Sequence, residues 1–475
     1  MLKNTISVIL AAILAFSLTG CINQGQEYGQ WEIIKPTTQK TGLASRPRNG
    51  GGNEEIIIPK LLDDATLIST MNNYIDSLIT QTDGFIPSWN KEVFKGCWNY
   101  IDGVFLNSIV RLYRDTNNTK YREFFINYIN YYINANGEFV DPRTNQNSFI
   151  TTELDSICES KILFDAYEFT HDERYLKGID YTYNILMSQH KVEGSDYNYE
   201  HKAVYPNQIW LDGMYMYVPF YARYAQFKGD SSIYTNITEA YKYIRQNMFD
   251  ENKKLYFHGY DSTREIFWSD KSTGCSPSFW LRSMGWYITS LTDCIEYFPE
   301  GEDKEYLKGL LKEALDGINN YKDPVTNMFY QIVDKDRDYI VHVDSSYLEP
   351  LVNKTAFDSK TNSYVDKDIK NYLEVSGSSL IAYSMMKSSR LNYVDKDYYQ
   401  TGEEIFQGIS ANYLSIDNTQ INLKNICITS GLGPDNMPYR DGTHAYYLAE
   451  PIGENDAKGI GPFILAFLEY EKVAH

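Results

Sequence analysis

From residue 100 onward the chain alternates between apolar segments at helical spacing and short polar links, and one unit returns five times. An apolar stretch runs into a link that ends in tyrosine, and an amphipathic stretch follows. The links are "DTNNTKY" to Tyr121, "THDERY" to Tyr175, "KGDSSIY" to Tyr234, "GEDKEY" to Tyr306 and "VDKDY" to Tyr398. Each unit predicts a helical hairpin. A lone amphipathic segment, about Asp64 to Thr82, precedes the first pair, and another, Asp456 to Glu471, follows the last, so the two ends can supply a sixth pair. An open solenoid also stacks helix pairs. The unpaired ends, and the long aromatic connections before each first helix, favour closure instead. The pattern predicts an all-α fold, an (α/α)6 barrel over residues 61–475, with inner helices starting near Gly103, Ser156, Asp212, Arg282, Ser376 and Asp456.

In such a ring the six inner N-termini converge at one mouth, and the connections leading into them form a funnel. Reading backward from each start gives Trp98, Asn99, Asp155, Trp210 and Asp212 from the first half of the chain. Trp280, Arg282, Trp286, Glu374, Glu450 and Asp456 come from the second. Tryptophans beside carboxylates and an arginine suit a sugar. For Asp212 the simpler explanation is capping, because helix N-termini favour acids. "DGTHAYY", with His444, enters the funnel but matches no catalytic pattern.

Composition narrows the partners. The 475 residues are 43% hydrophobic and 15% aromatic, enough for a large core. Sixty-three acidic against 44 basic residues give a net charge of −19, which argues against nucleic acid. The N-terminus reads as targeting. Lys3, the apolar "ISVILAAILAFSLTG" and "LTGC" predict a lipoprotein signal over residues 1–20, with Cys21 lipidated and a flexible tether over 21–60. Membrane attachment is then through the N-terminal lipid, at a bacterial cell envelope. Cys97, Cys158, Cys275, Cys294 and Cys427 form no disulfide framework and no zinc pattern.

"QIWLDGMYM", "FWLRSMGW" and "YYLAEPIGENDAKGIGPFILAFLE" resemble the unsaturated rhamnogalacturonyl hydrolases, glycoside hydrolase family 105, and more distantly the unsaturated glucuronyl hydrolases. The likeness runs from about Trp98 to Glu471. It implies the same six-hairpin barrel, no metal or cofactor, and an unsaturated uronyl oligosaccharide left by a lyase acting on pectin (rhamnogalacturonan). It implies Asp212 as general acid and base, with Asp155 as a second catalytic carboxylate. It also implies a sugar pocket of Asn99, His201, Trp210, His258, Trp280, Arg282 and Trp286.

The chemistry follows from residue types. The C4=C5 bond of such a sugar belongs to an enol ether, so a proton delivered to C4 leaves an oxocarbenium-like cation at C5. Water adds there, and the hemiketal opens and expels the rest of the saccharide. Asp212 suits that task if the adjacent tryptophan raises its pKa. Arg282 is expected to grip the uronate carboxylate, Trp280 and Trp286 to stack on sugar faces, and His201 and His258 to bind hydroxyls or water. Three other outcomes stay open on the residues alone: an inverting glycosidase with two carboxylates about 6.5–9.5 Å apart, a histidine-based epimerase, or a glycan-binding lipoprotein without catalysis.

Overall fold

The computed structural model describes residues 62–80, 97–343, 366–417 and 420–472, with the backbone of 357–358 and 363–364. The expected signal, Cys21 and the tether lie outside the described residues. Helix α1 (Asp64–Thr80) stands alone at the start. Four hairpins follow: α2 (Tyr100–Thr116) with α3 (Thr119–Tyr132), α4 and α5 (Asp155–Glu159, Lys161–Thr170) with α6 (Glu173–Ser188), α7 (Gly213–Lys228) with α8 (Ser232–Met248), and α9 (Leu281–Cys294) with α10 (Glu302–Asn319). The fifth is α11 (Val375–Arg390) with α12 (Asp397–Tyr413). A short α13 (His444–Ala449) precedes α14 (Ala457–Glu471), which packs on α1.

The ring closes. Helix α2 packs on α4, α4 on α7, α7 on α9, α9 on α11, α11 on α14, and α14 back on α2. Inner helices are buried all round, as in α9, where every residue from Leu281 to Cys294 is buried. Outer helices bury one stripe, as in α10 with Leu307, Leu310, Leu311, Ala314, Leu315 and Ile318. Inner neighbours approach closely because glycines face them. A Cβ on Gly461 would stand 2.7 Å from Val104 O, and one on Gly377 would stand 2.5 Å from Leu281 Cγ. Tyr74 donates to Asn455 Oδ1 at 2.6 Å and Tyr470 to Asp64 Oδ1 at 2.5 Å, which binds the two ends of the described chain.

The polar links make the hairpins tight. Asn117 ends α2 in the left-handed region, and Asn118 caps α3 by accepting from Lys120 N. His171 and Asp172 repeat the device between α5 and α6. The second inner helix departs from the expected single element. Ser160 interrupts it with a turn bonded to Ile157 O, while its hydroxyl accepts from Trp98 Nε1 at 3.0 Å. Short antiparallel strands occupy the long connections, a feature that helical periodicity does not register. One pair, Gln208–Trp210 with Gly259–Asp261, sets Trp210 opposite Gly259 just before α7.

Candidate active site

Four of the six inner N-caps, Asn99, Asp212, Glu374 and Asp456, carry an amide or carboxyl, and three of them cap. Asn99 accepts from Ile101 N, Glu374 from Ser376 N and Gly377 N, and Asp456 from Lys458 N. Asp212 makes no cap hydrogen bond. Capping therefore does not explain it. The strand pair beside it carries His258 across, with Leu211 N donating to His258 O at 2.8 Å, and Asp212 Oδ1 lies 3.3 Å from His258 Nε2.

Aromatic rings enclose this pair. His201 stacks on Trp210 at 4.6 Å and 14°, Tyr205 stacks on Trp210 at 4.6 Å, and Trp280 lies 4.7 Å from His258. His258 Nδ1 meets Tyr447 OH at 2.5 Å. A Cβ at position 213 would sit 3.0 Å from His201 Nδ1, so the glycine after Asp212 makes room for that ring. Three buried atoms at this place, Asp212 Oδ1, His258 Nε2 and His201 Nδ1, have no hydrogen-bond partner among the described residues. Asp212 Oδ1 and His258 Nε2 face each other at 3.3 Å without hydrogen-bond geometry, which leaves both able to bond a bound group.

The electrostatics reverse one expectation. Burial pushes Asp212 up, but the His258 contact and the fields of His201 and His258 outweigh it, and the carboxyl is held below its ordinary range. The neighbouring tryptophan does not leave it raised. Burial in turn holds His258 below the usual imidazole range despite Asp212. The pair thus rests as carboxylate and neutral imidazole. With Asp212 ionised, the ring proton is assigned to Nε2, facing the carboxylate, which leaves Nδ1 to accept from Tyr447.

Asp155 is held differently. Lys202 Nζ lies 2.6 Å from its Oδ2 and His201 Nε2 lies 3.3 Å from its Oδ1, while Lys202 also binds Glu153 at 2.9 Å. Burial opposes ionisation of Asp155, yet Lys202 and His201 keep it well below the carboxylate range. With both oxygens engaged, Asp155 is placed to orient His201.

The remaining expected residues divide. Trp280 borders His258, and its Nε1 donates to Gln331 Oε1 at 3.2 Å. Arg282 lies 4.7 Å from the Trp280 ring, but its Nη1 donates to Cys427 O and to Ser376 Oγ, and its Nη2 approaches Ile428 O at 3.5 Å. Contrary to the expected carboxylate fork, its Nη1 and Nη2 turn to the Ser376 hydroxyl and to main-chain carbonyls. Trp286 is also not at the sugar face; it is buried in the core against Tyr215 at 4.5 Å. Asn99 is occupied in capping α2, and its N–H donates to Glu159 Oε2.

Sequence reasoning missed Tyr447, Tyr205 and Lys202, and gave Glu450 no role. Glu450 is buried, and burial pushes it up to about 7 against the fields of Arg440 and Arg282. The fold keeps a proton there that an unfolded chain releases near 4.5, so this group's stabilisation is full below pH 4.5 and is lost as pH rises through about 7. The span is about 3 kcal/mol. Glu450→Gln removes the titration, so its melting temperature should fall less than that of the wild type between about pH 5 and 8. Parallel pH profiles would show that Glu450 does not titrate in this way.

The family model for Glycosyl Hydrolase Family 88 matches residues 72–347 and 360–474. A solved family 105 glycoside hydrolase from C. acetobutylicum ATCC 824 is 30% identical, with a TM-score of 0.70 over 85% of this chain and 99% of that one. The unsaturated glucuronyl hydrolase of Bacillus sp. GL1, at 12% identity and a TM-score of 0.56 over 86% and 97% of the two chains, shares the fold. Protein Atu3128 of Agrobacterium fabrum is 26% identical over 259 residues, 54% of this chain and 97% of that protein. Closed ring, site and likeness agree: the chain belongs to glycosyl hydrolase family 88 together with its family 105 relatives, and is a six-hairpin glycoside hydrolase.

Proposed function

We propose that the protein hydrates the C4=C5 bond of a terminal unsaturated uronic acid and so releases it from lyase-generated rhamnogalacturonan oligosaccharides. The observation that carries this reading is the uncapped Asp212, turned toward His258 with Oδ1 unsatisfied. An enol ether needs one group that gives a proton to carbon and then assists water, and one carboxyl meets that need. The resting carboxylate acquires its proton as substrate arrives. An anionic uronate beside Asp212 adds a like charge and displaces water, and both effects raise the carboxyl pKa. His258, fixed by Tyr447, keeps the carboxyl oriented while the proton moves.

Family membership supports hydrolase chemistry, and the Bacillus sp. GL1 fold relative is described as an unsaturated glucuronyl hydrolase. An inverting pair of carboxylates draws less support, because both oxygens of Asp155 are held by Lys202 and His201. The test compares an unsaturated disaccharide with its saturated counterpart of the same linkage, in water labelled with heavy oxygen. The unsaturated sugar alone should be cleaved, with label at C5 of the uronic acid. Cleavage of both, or label at the anomeric carbon, would make this an ordinary glycosidase. Varying the second sugar reads the rhamnogalacturonan assignment separately.

A further inference from the structure

We propose that Arg440 receives the carboxylate of the substrate's uronic acid, an inference that rests on the unsaturated-uronide reading. Arg282, the arginine that the motif suggests, has its Nη1 bonded to Ser376 Oγ and the Cys427 carbonyl and its Nη2 turned toward the Ile428 carbonyl, so these contacts compete with a substrate for its fork. Arg440 is partly exposed, and no ion pair holds it among the described residues. Its backbone is nevertheless fixed. Its N–H donates to Met437 O at 3.0 Å, and its carbonyl accepts from Gly433 N at 2.8 Å.

The loop that carries it is fastened to the site. Trp268 Nε1 donates to Gly433 O at 3.1 Å, Tyr446 OH donates to Gly431 O at 2.6 Å, and Leu432 packs among Tyr205, Trp210 and Trp268. Gly431 sets the spacing. A Cβ there would stand 3.0 Å from Trp210 Cη2 and 3.1 Å from Arg440 Nη2, so the indole two residues before Asp212 and the guanidinium flank one glycine. Any side chain at 431 would force them apart.

The neighbouring acid is Glu450, which becomes fully charged only above neutral pH. In a protein of net charge −19, an arginine left without an ion pair beside the Trp210 indole is suited to a carboxylate, and its planar fork matches the two oxygens. Tyr446 and Glu450 both act on the Arg440 charge.

The experiment measures release of the second sugar from an unsaturated uronyl disaccharide and from its uronamide, which keeps the double bond and lacks the charge. The purified full chain is compared with R440Q and R440K, and each melting temperature is recorded. R440Q should lose about 10- to 100-fold in kcat/KM on the acid, mainly through KM, and less than about 3-fold on the amide. R440K, the milder change, should lose part of the preference for acid and carries the test if R440Q does not fold. Equal losses on acid and amide would overturn the inference and leave Arg440 a residue that shapes the loop. A wild-type enzyme inert on the unsaturated acid would overturn the functional reading first, and this inference with it.

Discussion

Asp212→Asn will yield a folded protein that has lost turnover by at least about 10³-fold, because an amide cannot deliver a proton to carbon. The side chain keeps its shape and its place beside His258 Nε2, and it gives up no capping bond, since Asp212 makes none. The expected signature is therefore lost kcat with little change in melting temperature. Single-turnover measurements on the unsaturated disaccharide separate the chemical step from product release. A variant with more than about a tenth of wild-type kcat would remove Asp212 from the chemistry. One that melts well below the wild type while keeping its rate would return the residue to a structural role.

Lys202→Met should produce the largest loss of stability at the site. Lys202 holds Asp155 at 2.6 Å and Glu153 at 2.9 Å, and both carboxylates are buried. Removing one partner of a buried ion pair leaves charge with neither water nor counterion, at about 3–5 kcal/mol. Asp155 supplies the pH test. Its folded pKa is depressed, so its contribution is present above the ordinary carboxylate range and is lost as pH falls. The gap between wild type and Lys202→Met should narrow below about pH 4. Asp155→Asn added to Lys202→Met should recover part of the loss, because it removes the stranded charge. A gap that is the same at every pH, with no recovery in the double variant, would show that Lys202 acts through packing of its alkyl stem.

The ring was largely legible in the chain. Helical periodicity survives burial because a helix in a closed ring still meets its neighbours on fixed faces, and the links carry their own chemistry, as Asn117 and Asn118 do. All six inner starts fall within about one turn of their expected positions. The break at Ser160 was not legible, since it depends on a bond from Trp98, 62 positions earlier. The site was legible as a set of positions rather than as a set of jobs. Asp212, His258, His201, Trp210 and Trp280 come together, whereas Arg282 turns to main-chain carbonyls and Trp286 sinks into the core. Tyr447 reaches His258 across 189 positions, and nothing local in "DGTHAYYLAE" announces that contact. Asp212 itself shows the limit: only its geometry tells that it is not a cap.

Closure through α1 and α14 governs how the molecule can be made. A solenoid tolerates synthesis from one end, because each repeat rests on the one already folded. Here the inner wall of α2 waits for α14, whose Gly461 seats against Val104 with more than three hundred residues of chain emerging in between. Until α14 leaves the ribosome, α2 has one unpartnered apolar flank, and the nascent chain is a broken ring rather than a shorter protein. The fifteen residues of α14 complete the ring for all the other helices, so cooperative folding waits for them.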